Sequence, residues 1–393
     1  MTAIKLWHDF SDQDGETSGR VVEELCDRFS ATTGCRMVVE ALGMAELQDR
    51  LSSARSPGSM ADMVLIPSDM VSLYDAAKLS PLDRETQTSL GSALQPDMSI
   101  DGKLYGVPIL RGNHLVVFTN RDCFPPPIPT TWEHYEDARA RLARIGAKPL
   151  GTQIREAFWF YPFLAAAGGS LLDSTGSPAL GGIECRNALQ MMLGAVLDGT
   201  LAGYTSVKSM LNDFIAGKLG AIVCGEWLTD HLVHQLGERL TVAPLPLVDG
   251  QPMVSLTSTL GVVYPNESLS GPHREHLLDF TRFLLGLAAQ ELWITMVGRW
   301  PVNREAIARN IDSLNSASRT VIELRDRAVP MPVNTRMFDI WTAVAIGLER
   351  LYCGSVDSEM AASTMQVAAE QAVGSRSAAH RRNFGSHRNE GES

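Results

Sequence analysis

A large aromatic side chain directly after a strand is the most distinctive chemical feature of this sequence. Trp227 follows the predicted strand Ala221–Cys224 and a glycine, which places its ring near a strand end. Strand ends are where α/β proteins form ligand clefts. The apolar C–H groups of sugar rings stack on aromatic faces, so Trp227 is a candidate sugar contact. The alternative is a tryptophan of the core.

Residues after two other predicted strands occupy the same kind of position. Trp7, His8 and Asp9 follow the first strand, where either ligand contact or a solvated loop accounts for them. Asp69 follows the third strand, Asp62–Ile66, and is either a ligand contact or a charge at a helix N-terminus. These residues are therefore candidates for the same cleft.

Arg111 and Asn113 follow the predicted strand at 104–108 and carry strong hydrogen-bonding groups. A guanidinium fork matches carboxylate, phosphate or sulfate, and it also binds sugar hydroxyls. Both residues are therefore candidate ligand contacts.

Catalytic and metal-binding motifs do not occur in the sequence. There is no GxSxG, HExxH or Walker A pattern. His231 with His234, and His273 with His276, are spaced three apart, but neither pair has an evident third ligand. The chain is predicted to be no enzyme and to hold no metal or cofactor.

The composition is that of an acidic globular protein. The 393 residues include 34 basic and 45 acidic side chains, a formal charge of −11, and 45% hydrophobic residues. This length predicts about two domains. An acidic chain is poorly suited to nucleic acid, and no apolar run reaches the roughly 20 residues of a membrane-spanning helix.

The cysteines and the N-terminus bear on the cellular compartment. No CxxC pair occurs; Cys26 and Cys35 could pair across a turn, whereas isolated thiols favour a reducing compartment. Strand-like residues Ile4–Trp7 come almost at once, without the basic and apolar segments of a secretory signal. The protein is cytoplasmic if the chain is native as given. If an export signal was removed, it is periplasmic or extracellular and lipid-anchored.

Strand and helix patterns alternate along the first hundred residues. The predicted strands Ile4–Trp7, Arg36–Ala41 and Asp62–Ile66 are each followed by a helical pattern, the third by a helix at 68–77. This βαβαβα order predicts an open α/β layer. Farther along, the residues at 274–290 predict one long helix.

A series of short segments occurs in the order found in one family. Asp101–Pro108 matches that family's DGKxYGVP segment closely, and Phe214–Ile222 resembles its FxxGKAAM segment. The other matching segments are Ile4–Trp7, Ala61–Leu65, Val117–Asp122, Pro129–Glu133, Gly225–Trp227 and Val297–Asn303. From Ile4 to about Val373, the chain resembles the family 1 extracellular solute-binding proteins of ABC importers, the maltose-binding-protein-like proteins.

The resemblance implies a two-lobe α/β protein of the type II periplasmic-binding-protein-like fold, with a central ligand cleft between hinged lobes. The implied parts are an N-terminal lobe of residues 1–109 and 259–309, a C-terminal lobe of residues 110–258 and 310–373, and a flexible tail of residues 374–393. The implied crossings between the lobes lie near 108–113, 257–261 and 307–314. A ligand buried by both lobes binds the closed state better, so closure follows from binding.

The resemblance also adds five candidate ligand contacts. Trp341 stands where similar proteins place a stacking aromatic ring. Glu156 and Phe158 align with a segment that faces the ligand, and a carboxylate there would accept hydrogen bonds from sugar hydroxyls. Arg299 and Trp300 lie in a loop that commonly lines the cleft.

Two observations bear on which sugar would bind. Residues Ile66–Asp69 contain no aromatic where maltose binders often have one, which argues against maltodextrins. If Arg111 and Arg299 both point into the cleft, the ligand is an anionic sugar.

Three functions remain open at this level. The first is a monomeric receptor that captures a carbohydrate and delivers it to ABC transporter permease subunits. The second is a cytosolic protein of the same fold that senses, sequesters or processes a small polar ligand. The third is an enzyme that evolved in the cleft. The motif set favours the first.

Overall fold

The computed structural model describes residues 3–10, 17–53, 60–91 and 96–371. The predicted tail at 374–393 lies outside the described residues. The strands are β1 (Ala3–His8), β2 (Arg36–Ala41), β3 (Met63–Pro67), β4 (Ser99–Ile100), β5 (Lys103–Leu104), β6 (Gly106–Gly112), β7 (Leu115–Asn120), β8 (Lys148–Gln153), β9 (Leu201–Tyr204), β10 (Leu219–Gly225), β11 (Leu240–Ala243), β12 (Leu247–Val248), β13 (Gln251–Pro252), β14 (Leu256–Val263) and β15 (Val329–Pro330).

Helices cover the two larger sheets that these strands build, while β4 with β5 and β12 with β13 form two small two-stranded sheets. The α-helices are α1 (Gly19–Thr33), α2 (Met44–Ser52), α3 (Arg84–Leu90), α4 (Trp132–Ala143), α5 (Ala157–Ala166), α6 (Ile183–Asp198), α7 (Val207–Ile215), α8 (Thr229–Leu236), α9 (Arg274–Leu285), α10 (Leu287–Val297), α11 (Arg304–Asn310), α12 (Ser316–Arg325) and α13 (Met337–Tyr352). Residues 358–371 are also helical.

The first sheet has the strand order β2-β1-β3-β14-β6, and β15 pairs in parallel with the first two residues of β14. The strands β1, β2 and β3 are parallel, and β14 runs antiparallel to both β3 and β6. Every residue of β3 is buried, as expected for a strand covered by helices on both faces. The parallel strands therefore end at one edge of this sheet.

The second sheet has the order β11-β7-β10-β8-β9. The strands β10, β8 and β9 are mutually parallel, whereas β7 runs antiparallel to β10 and to β11. Its three parallel strands also end at one edge, which faces the cavity described below.

Two separate hydrophobic cores accompany the two sheets. The first core uses residues between Ile4 and Leu110 and between Leu260 and Val297. The second uses residues between Leu115 and Leu256 and between Ala317 and Ala369. The chain therefore passes from one core to the other three times, between residues 110 and 115, between 256 and 260, and between 297 and 317. The lobe boundaries expected at 109/110, 258/259 and 309/310 lie in or beside these three stretches.

Two predicted helices were wrong in detail. The segment predicted as a helix at 68–77 forms a 3-10 helix, Ser68–Leu73, in which all six residues are buried. Because all six residues are buried, this segment lacks the solvent-exposed polar face of an amphipathic helix. The helix predicted at 274–290 is two helices, α9 and α10, since Gly286 is extended with ψ 147°.

The remaining predictions on cysteines and membranes concern the described residues. No disulfide joins the six cysteines, so the pairing of Cys26 with Cys35, which was one of the two alternatives, does not occur. Among the described helices, none combines the length and apolar character that crossing a membrane requires.

Candidate ligand-binding cleft

A cavity of about 1090 Å³ lies between the two sheets, at the carboxyl ends of their parallel strands. The wall from the first core, here the first wall, includes Asp9, Phe10, Met44, Gln48, Asp69 and Met70. The wall from the second core, here the second wall, includes Gln153, Glu156, Phe158, Trp159, Trp227 and Trp341. The volume is slightly above the roughly 300–1,000 Å³ typical of small-molecule pockets.

Aromatic rings of the second wall are held in fixed relative positions. The Phe158 and Trp227 ring centroids are 6.4 Å apart at 39°, and those of Trp159 and Trp227 are 6.2 Å apart at 88°. Trp159 Nε1 donates to the Val223 carbonyl at 3.0 Å, which fixes that indole on β10. The half-buried Trp227 and Phe158 leave part of their rings to the cavity. Such surfaces suit the apolar face of a planar or ring-shaped ligand.

Gly225 allows the Trp227 ring to fold back over the end of β10. A Cβ atom at position 225 would lie 2.2 Å from the indole, far inside contact distance. Any other residue there would displace the ring. The glycine that precedes Trp227 in the sequence therefore has a packing role.

A hydrogen bond joins the two walls directly. Trp341 Nε1, on α13, donates to Asp69 Oδ2 at 2.7 Å. Asp69 is buried, and desolvation raises the pKa of its carboxyl, while the indole N–H acts in the opposite direction. This contact orients the Trp341 ring and holds α13 against the 3-10 helix Ser68–Leu73.

Glu156 and Gln153 bring polar groups to the second wall. Glu156 remains accessible to solvent, yet the cavity reduces the hydration of its carboxylate and raises its pKa. Gln153 ends β8 and is only 2% exposed. Among the described residues, its buried Nε2 atom has no hydrogen-bond partner.

Asn113 lies where β6 passes into β7, at the first change of core. Its backbone N–H donates to Glu226 Oε1 at 2.9 Å, and its Nδ2 donates to Ser258 Oγ on β14 at 2.7 Å. Its φ of 50° is in the left-handed region that asparagine tolerates better than most residues. These bonds tie the two connecting strands together beside the cavity.

A buried ion pair also links the two cores. Arg299 Nε lies 3.7 Å from Glu226 Oε1, and the two side chains are 4% and 2% exposed. Arg299 Nη1 also donates to Ser18 Oγ at 3.3 Å, and its guanidinium lies 5.6 Å from the centre of the Phe10 ring. The role of Glu226 was missed by sequence reasoning, because the residue reads as a simple neighbour of Trp227.

Of the twelve candidate residues, eight line the cavity. They are Asp9, Asp69, Asn113, Glu156, Phe158, Trp227, Arg299 and Trp341. Their role in binding stays a prediction.

The other four candidates, Trp7, His8, Arg111 and Trp300, lie outside the cavity lining. Trp7 is a core residue with the Arg50 guanidinium 4.9 Å from its ring centre. His8 is 1% exposed, and its Nδ1 accepts from the Phe10 backbone N–H at 3.2 Å.

Arg111 and Trp300 are occupied by contacts away from the cavity. Arg111 Nη2 lies 3.4 Å from Asp97 Oδ2, and Trp300 is 1% exposed. The condition for an anionic ligand, that Arg111 and Arg299 both face the cleft, is therefore not met.

Several cavity residues were not predicted. Gln48, Gln153 and Ser206 carry polar groups, and Trp159 and Phe338 add rings. Trp159 follows the predicted Phe158 directly, and Phe338 precedes Trp341 by three residues on α13, which is the same helical face. Those two spacings are the signals that could have identified them.

No metal site accompanies the cleft in the part of the chain that the structure describes. There, no group of three or more His, Cys, Asp or Glu side chains is arranged to hold a metal ion. His234 Nε2 lies 3.6 Å from Asp230, and His273 packs edge-on against His276.

Known proteins share this architecture. The maltose/maltodextrin-binding domain MalE of Bdellovibrio bacteriovorus, solved with maltotriose, superposes with a TM-score of 0.86 at 22% identity, covering 95% of this chain and all of that one. The GacH receptor of Streptomyces glaucescens, solved unliganded and with acarbose and an acarbose homolog, superposes with a TM-score of 0.83 at 17% identity, covering 94% and 98%. The predicted two-lobe α/β binding-protein fold is confirmed by these likenesses.

Sequence comparison identifies the same group of proteins. The maltodextrin-binding protein MdxE of Bacillus subtilis is 21% identical over 343 residues, which cover 83% of this chain and 81% of that protein. Residues 24–317 match the bacterial extracellular solute-binding protein family. Since that match covers most of the chain, this protein belongs to the bacterial extracellular solute-binding proteins.

Proposed function

We propose that this protein is the substrate-binding component of an ABC importer, and that it captures a neutral saccharide in the cavity between its two cores. The single observation that carries the proposal is a large cavity with exposed ring faces on one wall and polar groups on both. The named relatives, which bind maltotriose, maltodextrin or acarbose, support a saccharide as the ligand class.

The chemistry of the second wall matches a sugar ring. Trp227 and Phe158 offer apolar faces, and Glu156 offers a carboxylate acceptor at the edge of the same surface. Sugars present C–H groups on their faces and hydroxyls at their rims, so this arrangement satisfies both at once.

The charges of the cavity favour a neutral ligand over an anionic one. Arg299 is paired with the buried Glu226, and Arg155 Nη1 is paired with Glu349 Oε2 at 2.9 Å. Asp9 and Glu156 meanwhile place acidic groups along the cavity. An anionic ligand would be repelled by these carboxylates. Two of the cavity's guanidinium groups could not offset that repulsion fully, because they are already paired with carboxylates of the protein.

The transport role follows from family membership and from the two cores. Ligand held by both cores stabilises the closed arrangement, which is the form that permease subunits would recognise. We place the working protein in the periplasm or outside the cell, as the family description implies. Its ligand should be released unchanged, because binding and not catalysis is the activity of the family.

A thermal-shift and calorimetry series tests this proposal. Maltotriose and other neutral oligosaccharides should raise the melting temperature, and ligand at 100 times its Kd stabilises by about 2.7 kcal/mol. Uronic-acid oligosaccharides of the same length should have a smaller effect. The proposal is overturned if no saccharide raises the melting temperature, or if only acidic ones do.

A further inference from the structure

Two adjacent residues at the end of β8 carry buried polar atoms that have no hydrogen-bond partner among the described residues. Thr152 is 0% exposed and Gln153 is 2% exposed. The atoms concerned are Thr152 Oγ1 and Gln153 Nε2. Successive strand residues point to opposite faces of a sheet, and only Gln153 lines the cavity. The two residues therefore share burial and lack of partners, but they differ in access to a ligand.

The donors of several other cavity residues already have protein acceptors. Trp341 Nε1 donates to Asp69, Trp159 Nε1 to Val223, and Asn113 Nδ2 to Ser258. The Gln153 side chain also lines the cavity, but its Nε2 atom is buried and has no acceptor among the described residues. An unmet buried donor is costly, and a ligand acceptor removes that cost on binding.

We propose that Gln153 is a specificity-determining contact, whose Nε2 donates a hydrogen bond to a hydroxyl oxygen of the bound saccharide. The inference rests on the proposed function, since it names one contact of the same site. A position that must bind a hydroxyl discriminates strongly against ligands that lack it, because the amide then stays unsatisfied. Gln153 thereby favours ligands that place a hydroxyl group against this part of the second wall.

The test compares Gln153→Met with Thr152→Val, using maltotriose as the probe. Methionine keeps the length of glutamine without its polar atoms, and valine keeps the shape of threonine. Calorimetry should show that Gln153→Met weakens maltotriose binding about tenfold or more, the size of one lost hydrogen bond, whereas Thr152→Val binds like the wild type. Melting temperatures of both ligand-free variants should equal or exceed that of the wild type, because each removes an unsatisfied buried group.

Each other outcome has a defined meaning. If Gln153→Met binds maltotriose as tightly as the wild type, the proposal is overturned while the saccharide function stands. If ligand-free Gln153→Met melts lower than the wild type, the amide has a structural role and the proposal is also overturned. If the wild type binds no saccharide at all, the proposed function fails, and the melting temperatures still report whether the amide is unsatisfied.

Discussion

The two walls of the cavity are built from different chemistry. The second wall presents four of the rings, Phe158, Trp159, Trp227 and Trp341, from α5, α13 and the end of β10. The first wall presents Phe10 and, packed against the first core, Phe338, together with Asp9, Asp69 and the flexible side chains of Met44 and Met70. We infer that the second wall supplies a rigid stacking surface and that the first wall adapts to the ligand when the cores approach.

Two ion pairs beside the cavity also differ in burial and in what they connect. Arg299 and Glu226, which link the two cores, are almost fully buried. Arg155 and Glu349 both belong to the second core, and their paired side chains are 39% and 48% exposed. The costly buried pair therefore holds the two cores in register, whereas the weak exposed pair lies within one of them.

The largest effect is expected when the buried pair is broken. Arg299→Met leaves the Glu226 carboxylate buried without its guanidinium, which should lower the free energy of unfolding by about 3–5 kcal/mol in urea denaturation. Replacing both members, with Arg299→Met and Glu226→Leu together, should recover a large part of that loss. A loss below about 1 kcal/mol for the single variant would show that this pair behaves like a surface pair.

The next effect separates the two walls by their contribution to affinity. Trp227→Ala should weaken maltotriose binding by about 1–3 kcal/mol, the scale of a buried aromatic contact. Met44→Ala, on the first wall, should cost less. Calorimetry on both variants checks this, and equal losses would mean that the walls do not differ as described.

A smaller, pH-dependent effect is expected at Asp69. Because burial raises the pKa of this carboxyl, the folded protein binds its proton more tightly than the unfolded chain does. Ionised Asp69 therefore costs stability above the folded-state pKa, and the cost vanishes as the pH falls below the unfolded-state pKa. Asp69→Asn keeps an oxygen for Trp341 Nε1, so it should melt higher than the wild type at pH 7.5, with the difference shrinking toward pH 4.

Asp83 serves as a control, because its pKa is shifted in the direction opposite to that of Asp69. It caps α3 by accepting from the Thr86 backbone N–H at 2.7 Å, and this bond lowers the pKa of Asp83. Asp83→Ala should therefore melt lower than the wild type at pH 7.5, and this difference should also shrink in acid, since the carboxylate's stabilisation is lost as the pH falls through its lowered folded-state pKa. A pH-independent difference for Asp69→Asn would contradict the assigned cause.

The smallest effect is expected at the exposed ion pair of Arg155 and Glu349. Arg155→Met should change the free energy of unfolding by no more than about 1 kcal/mol, because solvent screens both charges. The change should diminish further in high salt. A loss close to that of Arg299→Met would erase the difference between the buried and the exposed ion pair.

Periodicity predicted the elements of the first core well. The strand predicted at Arg36–Ala41 has those bounds in the structure, and the helix predicted from Gly19 begins there. In both segments the apolar residues are spaced as in the element that forms, so the local sequence is enough to predict a strand and a helix. The segment Ser68–Leu73 was harder, because a short element buried on all sides has no period to detect.

The site was predicted less completely, and Gln153 shows why. β8 reads KPLGTQ, and its proline and glycine disguise the strand, so the position of Gln153 at a strand end could not be recognised. The structure explains the glycine, since a Cβ at Gly151 would lie 2.8 Å from the Leu219 side chain. Arg299 and Trp300 were predicted together, but only tertiary packing decides that the first lines the cavity and the second lies buried.

The late position of β14 in the chain has a consequence for synthesis. β14 lies between β3 and β6 in the first sheet, so β3 and β6 cannot be joined in that sheet until residue 263 has left the ribosome. The second core waits longer, for residues 317–369. A nascent chain therefore exposes open strand edges during most of its elongation, a period in which chaperones can hold it. Polypeptides truncated before β14 should aggregate and not fold.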